Sequence, residues 1–207
     1  MGRLVVGRSP DEILQLASDF FMKKDDVHFT MRRVTDRLRE ENIPYAVLGG
    51  MAIALHGYSR VTKDVDLLTT KEGLEKIHAR LVGRGFVPAY SGARKRLRDT
   101  ETRVYVDIIT TGEYPGDGKP KAVRFPDPSE SVDLDGINVL SLPRLIEGKI
   151  VTGTTVDYRE LQDLGDVQAL IRELRLPRSF ADQIDPTVRG EFDRLWLLAQ
   201  KRNPEYD

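Results

Sequence analysis

The stretch from Tyr45 to Leu68 constrains this chain more than any other. A short apolar run, Tyr45 to Leu48, leads directly into Gly49-Gly50 and a small amphipathic piece, Met51 to Leu55. After a Gly-Tyr-Ser-Arg turn comes Asp64-Val65-Asp66, inside a second apolar run that ends at Leu68. The pattern predicts strand, glycine turn, short helix, loop, strand. Alternate side chains of a strand share a face, so Asp64 and Asp66 point one way while Val65 and Leu67 point into a core. Two carboxylates about 7 Å apart on one strand face repel each other unless a cation lies between them. A hard divalent cation such as Mg²⁺ takes such oxygen ligands and completes its shell with waters and substrate phosphates. The glycines let backbone approach a ligand, and N–H groups at the following helix start can hold a phosphate. Taken singly, Asp-x-Asp also reads as a solvated strand face and Gly-Gly as a plain turn. Their coupling, with apolar residues flanking both acids, points to a metal–phosphate site.

A third acid enters further on. Residues 93–98 and 102–109 read as a hairpin around Asp99-Thr100-Glu101. Val104, Val106 and Ile108 share one face of its second strand; Arg103, Tyr105, Asp107 and Ile109 share the other. A carboxylate in so apolar a strand needs a partner. For Asp107 that is either the proposed metal site or an arginine of the same hairpin. The basic residues Arg94, Lys95, Arg96 and Arg98 read either as a solvated edge strand or as one wall of a groove for polyphosphate or RNA. They fall on both strand faces, so they cannot all serve one ligand.

Gly49-Gly50, residues 51–63, and Asp64-Val65-Asp66 together resemble the signature of the polymerase-β-type nucleotidyltransferases. The intervening His56-Gly57-Tyr58-Ser59-Arg60-Val61-Thr62-Lys63 is similar to the small bacterial and archaeal branch, which includes AbiEii-type toxins and antibiotic nucleotidyltransferases. The resemblance covers roughly residues 43–175. It implies an α+β nucleotidyltransferase fold: a small mixed β-sheet flanked by helices, with N- and C-terminal helical additions. The expected division is 1–42 as an N-terminal helical segment, 43–140 as the catalytic core and 141–207 as a C-terminal helical segment. The resemblance also implies roles. Asp64, Asp66 and Asp107 would form the catalytic and metal-binding triad, with two Mg²⁺ ions in the reactive complex. Gly49, Gly50, Arg60, Thr62 and Lys149 would bind the nucleotide, with Lys63, Arg159 and Asp163 as further candidates. In this family a helix lysine meets the triphosphate, and an Arg/Lys-x-x-Asp-Leu-x-x-Asp segment braces the site. Here the acids are Asp163 and Asp166, and Gln162 stands where a basic residue is usual. Arg60 could instead form an ion pair with Asp64 or Asp66, and Lys149 could be a surface lysine. The substrate would be a nucleoside triphosphate. The acceptor could be tRNA or another polyanion, with the protein as the toxin of a pair and an antitoxin as its partner. Alternatives are an antibiotic acceptor, or a regulatory module that binds nucleotide without catalysis.

The remaining chain supplies scaffolding. A helix is expected from Ser9 to about Lys23, started by Ser9-Pro10-Asp11-Glu12, and another from about Asp26 to Glu41 with the stripe Val27, Met31, Val34 and Leu38. Lys71 to Arg84 reads as helix, followed by a strand from Phe86. Residues 112–130 read as a long loop. Two strands about Asp135-Gly136 form a hairpin. A helix follows from Ser141 to near Gly153, with Ile146 and Ile150 inward and Lys149 free to reach a cleft. A longer helix opens at Asp157 with Leu161, Leu164, Val167, Leu170 and Ile171 as its buried stripe, and a last one runs from about Thr187 to Lys201.

Composition narrows the chemistry. The formal net charge is −1, so attraction to nucleic acid must be local. There is no cysteine, and His28, His56 and His78 lack a ligand spacing, which argues against zinc. No apolar stretch is long enough for a membrane span and no signal-peptide core is evident, so a cytoplasmic location is expected.

Overall fold

The computed structural model describes residues 26–58 and 60–201. The helix expected from Ser9 to Lys23 lies outside the described residues. Residues 26–40 form helix α1, and its stripe Val27, Met31, Val34 and Leu38 is buried as its spacing predicts.

Strand β1 (Tyr45–Leu48) is apolar and buried throughout, as suits the interior of a sheet covered on both faces. It turns at Gly49 into α2 (Gly49–Leu55) and returns as β2 (Asp64–Thr69), antiparallel to β1 with Leu48 opposite Asp66. Helix α3 (Lys71–Leu81), capped by the Thr70 side chain, buries Leu74, Ile77 and Leu81 and stops three residues before the expected end. Val82 is already extended and bridges to Phe86.

β3 (Phe86–Pro88), β4 (Arg96–Asp99) and β5 (Tyr105–Thr110) follow. β4 and β5 are antiparallel neighbours, and β5 crosses over to lie parallel to β2. β6 (Ser131–Leu134) and β7 (Ile137–Leu140) form the Asp-Gly hairpin; Asp135 and Gly136 have φ of 57° and 77°, both left-handed, as a type I′ turn requires. The result is one seven-stranded mixed sheet in the order β3-β4-β5-β2-β1-β7-β6. With its flanking helices this is the mixed-sheet α+β architecture that the resemblance implies. β4 therefore lies between β3 and β5, and the edge-strand reading of the arginine-rich segment does not hold.

Helices α4 (Leu142–Thr155) and α5 (Glu160–Glu173) pack against each other. The contact is close at Gly153, where a Cβ would come within 2.8 Å of the Leu164 side chain. A 3₁₀ turn, Asp157–Arg159, delivers the chain into α5. The expected stripe holds for Leu164, Val167, Leu170 and Ile171 and fails for Leu161, which is 90% exposed. Leu161 lies in the first turn of α5, just past the 3₁₀ segment, where no described side chain covers it. Helix α6 (Arg189–Ala199) is the last helix of the described residues, with Phe192 and Leu195 in the core and the Trp196 indole N–H donating to the Leu176 carbonyl. No helix of the described residues is long and apolar enough to cross a membrane.

Candidate active site

The parallel pairing of β2 and β5 sets Asp66 directly beside Asp107 and Asp64 beside Tyr105. Neighbouring residues in register share a face, so Asp64, Asp66 and Asp107 all project from the same side of the sheet. Val65, Leu67, Val106 and Ile108 fill the core on the other side. The three carboxylates line one cleft of about 440 Å³. Gly49, Gly50, Arg60, Thr62, Lys63, Lys149 and Arg159 line the same cleft, together with Gln162. The candidates drawn from three separate parts of the chain thus meet, with Asp163 directly behind Lys149 and Arg159.

Gly49 has φ of +65°, and a Cβ there would fall 1.8 Å from Asp66 Oδ2. The glycine makes room for the carboxylate at a left-handed turn that other residues adopt only with strain. Gly50 is as confined, since a Cβ would stand 2.7 Å from the Thr62 side chain. Thr62 in turn donates its hydroxyl to Asp64 Oδ1 at 3.1 Å and so orients the first acid.

The acids are electrostatically unsatisfied. Burial first, and the charges of Asp64 and Asp107 after it, raise the Asp66 pKa to about 7 against the opposing pull of Lys149 and Arg159. Asp107 is also raised, chiefly by burial, against the pull of Arg96. Arg96 Nε lies 3.3 Å from Asp107 Oδ1, so both readings of Asp107 apply: it faces the acid cleft and pairs with an arginine of its own hairpin. As the side chains stand, no three His, Cys, Asp or Glu residues among those described are close enough to ligate one ion. The donor set is nonetheless suited to a hard cation. It consists of carboxylate oxygens, and the Asp66 carboxyl is pushed toward its protonated form chiefly by burial and then by the neighbouring acid charges, which a divalent ion would offset.

Lys149 departs from its expected free position. It is 6% exposed, and its Nζ lies 2.6 Å from Asp163 Oδ1 and 2.7 Å from Asp166 Oδ2. Neither a free head group nor a surface lysine describes it; α5 packs two buried acids against it. Arg159 donates twice to Asp163, at 2.9 and 3.1 Å, and Arg60 Nε lies 3.3 Å from Asp166 Oδ1. The ion-pair partner of Arg60 is therefore Asp166, rather than Asp64 or Asp66. Two buried acids hold three cations at the cleft wall. Asp166, expected with Asp163 in the segment that braces the site, stands behind the cations, three residues along the same helix face.

Two further hollows adjoin the cleft. A small one of about 160 Å³ shares Gly49, Asp66, Lys149 and Arg159 with it and is otherwise mainly apolar, with Leu48, Ile109, Phe125 and Leu145. Another, on the β4–β5 side, shares Lys63 and Asp64. The basic hairpin is divided among partners: Arg94 pairs with Glu75, Lys95 with Glu113, and Arg96 with Asp107. His56 is structural, since its Nε2 lies 2.9 Å from the Leu140 carbonyl oxygen and ties α2 to β7. His78 likewise meets the Arg94 carbonyl.

Comparison with known proteins agrees with this geometry. No curated protein sequence matches the chain significantly. Among solved structures, the solution structure of the antibiotic-resistance factor ANT(2'')-Ia is similar with a TM-score of 0.55 at 14% identity, over 85% of this chain and 95% of that one. The crystal structure of ANT(2'')-Ia in complex with adenylyl-2''-tobramycin gives 0.53 at 13% identity, over 80% and 96%. At such identities these likenesses show the fold. The family described as "Uncharacterised nucleotidyltransferase" matches residues 7–188 through its sequence model. The span includes every acid and cation of the cleft, and the chain belongs to this nucleotidyltransferase family.

Proposed function

We propose that the protein transfers a nucleoside monophosphate from a nucleoside triphosphate to an acceptor hydroxyl in the presence of Mg²⁺, and that the acceptor is a polyanion such as tRNA. The observation that carries this is the register Asp66–Asp107 across parallel strands, with Asp64 on the same face beside the Gly49 turn. Asp64, Asp66 and Asp107 would hold the metal, and two such ions, when bound, stabilise the attacking and leaving oxygens of an in-line displacement. The acceptor oxygen bonds to the α-phosphorus as the bond from that phosphorus to the α–β bridging oxygen breaks. Pyrophosphate leaves, and the hydroxyl proton passes to the Asp107 carboxylate. Lys149 and Arg159, fixed by Asp163, and Arg60, fixed by Asp166, place positive charge where the pyrophosphate gains negative charge. Gly49 keeps Asp66 against the turn.

A module that only bound nucleotide would have no need to crowd three carboxylates at this electrostatic cost. The fold is also that of an enzyme whose structure contains adenylylated tobramycin, which motivates a second reading with a drug as acceptor. Arg96, Arg103 and Lys63 beside the acids disfavour a cationic drug. A toxin paired with an antitoxin would use this same chemistry. Incubation with each α-labelled nucleoside triphosphate, Mg²⁺ and total tRNA, with parallel arms containing tobramycin, tests the proposal. Label in the tRNA is expected, lost in Asp66→Asn. Label on the drug alone would favour the second reading, and no label in either arm would contradict transfer to these acceptors.

A further inference from the structure

The hollow on the β4–β5 side has a volume of about 320 Å³, within the roughly 300–1,000 Å³ of small-ligand sites. Lys63, Asp64, Arg96, Arg103 and Tyr105 line it. Lys63 and Asp64 also belong to the acid cleft, so a group seated here lies against the reacting centre. The described ion pairs of the hairpin engage Arg94, Lys95 and Arg96, and none engages Lys63 or Arg103. Arg103 adopts φ of 68°, a left-handed conformation that costs a residue with a Cβ about 1–2 kcal/mol. The Arg96 guanidinium lies over the Tyr105 ring, 4.5 Å from its centroid. Two cations without an ion pair among the described residues, beside a stacked Arg–Tyr platform, suit a nucleic-acid strand: the cations take phosphate, and the planes take an unstacked base.

We propose that this hollow binds the end of a single-stranded RNA, with the last phosphodiester on Lys63 and Arg103, the terminal base against Arg96 and Tyr105, and the terminal ribose hydroxyl directed past Asp64 into the acid cleft that Asp107 also lines. Its role as the acceptor site rests on the transfer reading above; the RNA site itself does not. A linked consequence concerns Arg96. It is shared between Asp107 and the hollow, so a strand whose terminal base seats against the Arg96 guanidinium draws it away from Asp107. Docking of the strand then frees Asp107 for the cation cleft.

The test is fluorescence anisotropy of a short labelled single-stranded RNA with a terminal ribose diol, without nucleotide or divalent ion. Wild type is expected to bind, with affinity falling as salt rises. Arg103→Glu and Lys63→Glu should each weaken binding about tenfold or more, while Arg103→Lys, with the same backbone demand, should retain it. Arg103→Glu should keep the full thermal stabilisation by Mg²⁺ and nucleoside triphosphate, which excludes misfolding as the cause. Equal RNA binding by wild type and both charge reversals overturns the site. Ribose 5-phosphate competing as tightly as the strand makes the ligand a small phosphorylated molecule and overturns the strand assignment. If nucleotide with Mg²⁺ fails to stabilise wild type while RNA binding still depends on Arg103, the transfer reading falls and the RNA site stands. For Arg96, RNA should tighten Mn²⁺ binding to wild type and should not do so in Arg96→Gln, which already binds it more tightly. No effect of RNA on wild-type Mn²⁺ affinity contradicts the exchange.

Discussion

The two walls of the cleft handle charge in opposite ways. On the α4–α5 wall, the buried acids Asp163 and Asp166 are surrounded by Lys149, Arg159 and Arg60 at 2.6–3.3 Å. On the β2–β5 wall, Asp64, Asp66 and Asp107 crowd one another, and the ion pair they have among the described residues is Arg96 with Asp107. The first wall is complete as it stands and fixes its cations in place. The second is held in a costly arrangement by backbone register and by the space at Gly49, and a divalent cation would relieve it. A compensated frame thus supports an uncompensated reactive centre.

Breaking the compensated wall should have the largest effect. Lys149→Ala leaves two buried carboxylates short of a partner and should cost about 3–5 kcal/mol of stability, read by urea denaturation, along with most of the transfer activity. A near-normal denaturation midpoint would return Lys149 to the role of a surface residue. Gly49→Ala attacks the other wall through the backbone. Its Cβ would collide with Asp66 Oδ2 at an unfavourable φ, so a loss of roughly 2–3 kcal/mol is expected. In an Asp66→Ala background the collision disappears and the loss should shrink to the backbone strain of the left-handed turn, about 1–2 kcal/mol, measured as a double-mutant cycle.

Asp66→Asn should act in the reverse direction. The folded-state pKa of Asp66, about 7, lies above its unfolded value near 3.8. Between those values the native state keeps a proton that the unfolded chain has lost, so stability falls as pH rises through this window and the penalty is complete above it. Without divalent ions, Asp66→Asn should therefore be more stable than wild type at pH 8, by on the order of a few kcal/mol, with the difference fading toward pH 4. An equal pH–stability profile for the two proteins would show that the acids are not crowded. The smallest effect is expected at Leu161, where Leu161→Ser should stay within about 0.5 kcal/mol because the side chain is already in solvent.

Asp64 and Asp66 were legible as one strand face because periodicity sets it and the apolar flanks reveal a strand, whereas Asp107 joins them through the pairing of β2 with β5, which the family resemblance implied and periodicity alone could not supply. Gly49 was legible as a special position, although its reason, the approach of Asp66, depends on strand pairing. The compensated wall was legible only in outline. Lys149 and Asp163 fall on different helices, and whether a lysine head reaches solvent or a buried acid depends on how α4 meets α5, which no local pattern encodes. Leu161 fits the helical period but lies in the overhanging first turn, beyond the contact that buries Leu164. The arginine-rich segment reads equally as an edge strand or a groove wall because the strand expected from Phe86 was legible but its pairing with β4, which gives β4 a neighbour on both sides, is not a local pattern.

Thermal melting at pH 8 with increasing Mg²⁺, for wild type and Asp66→Asn side by side, tests the contrast between the two walls most directly. Mg²⁺ should raise the wild-type melting temperature and leave the variant nearly unmoved, because a ligand of the native state stabilises only the protein that retains its site. The advantage of the variant in metal-free buffer should then shrink or reverse. An identical response of both proteins to Mg²⁺ would contradict the assignment of the β2–β5 carboxylates as the cation site.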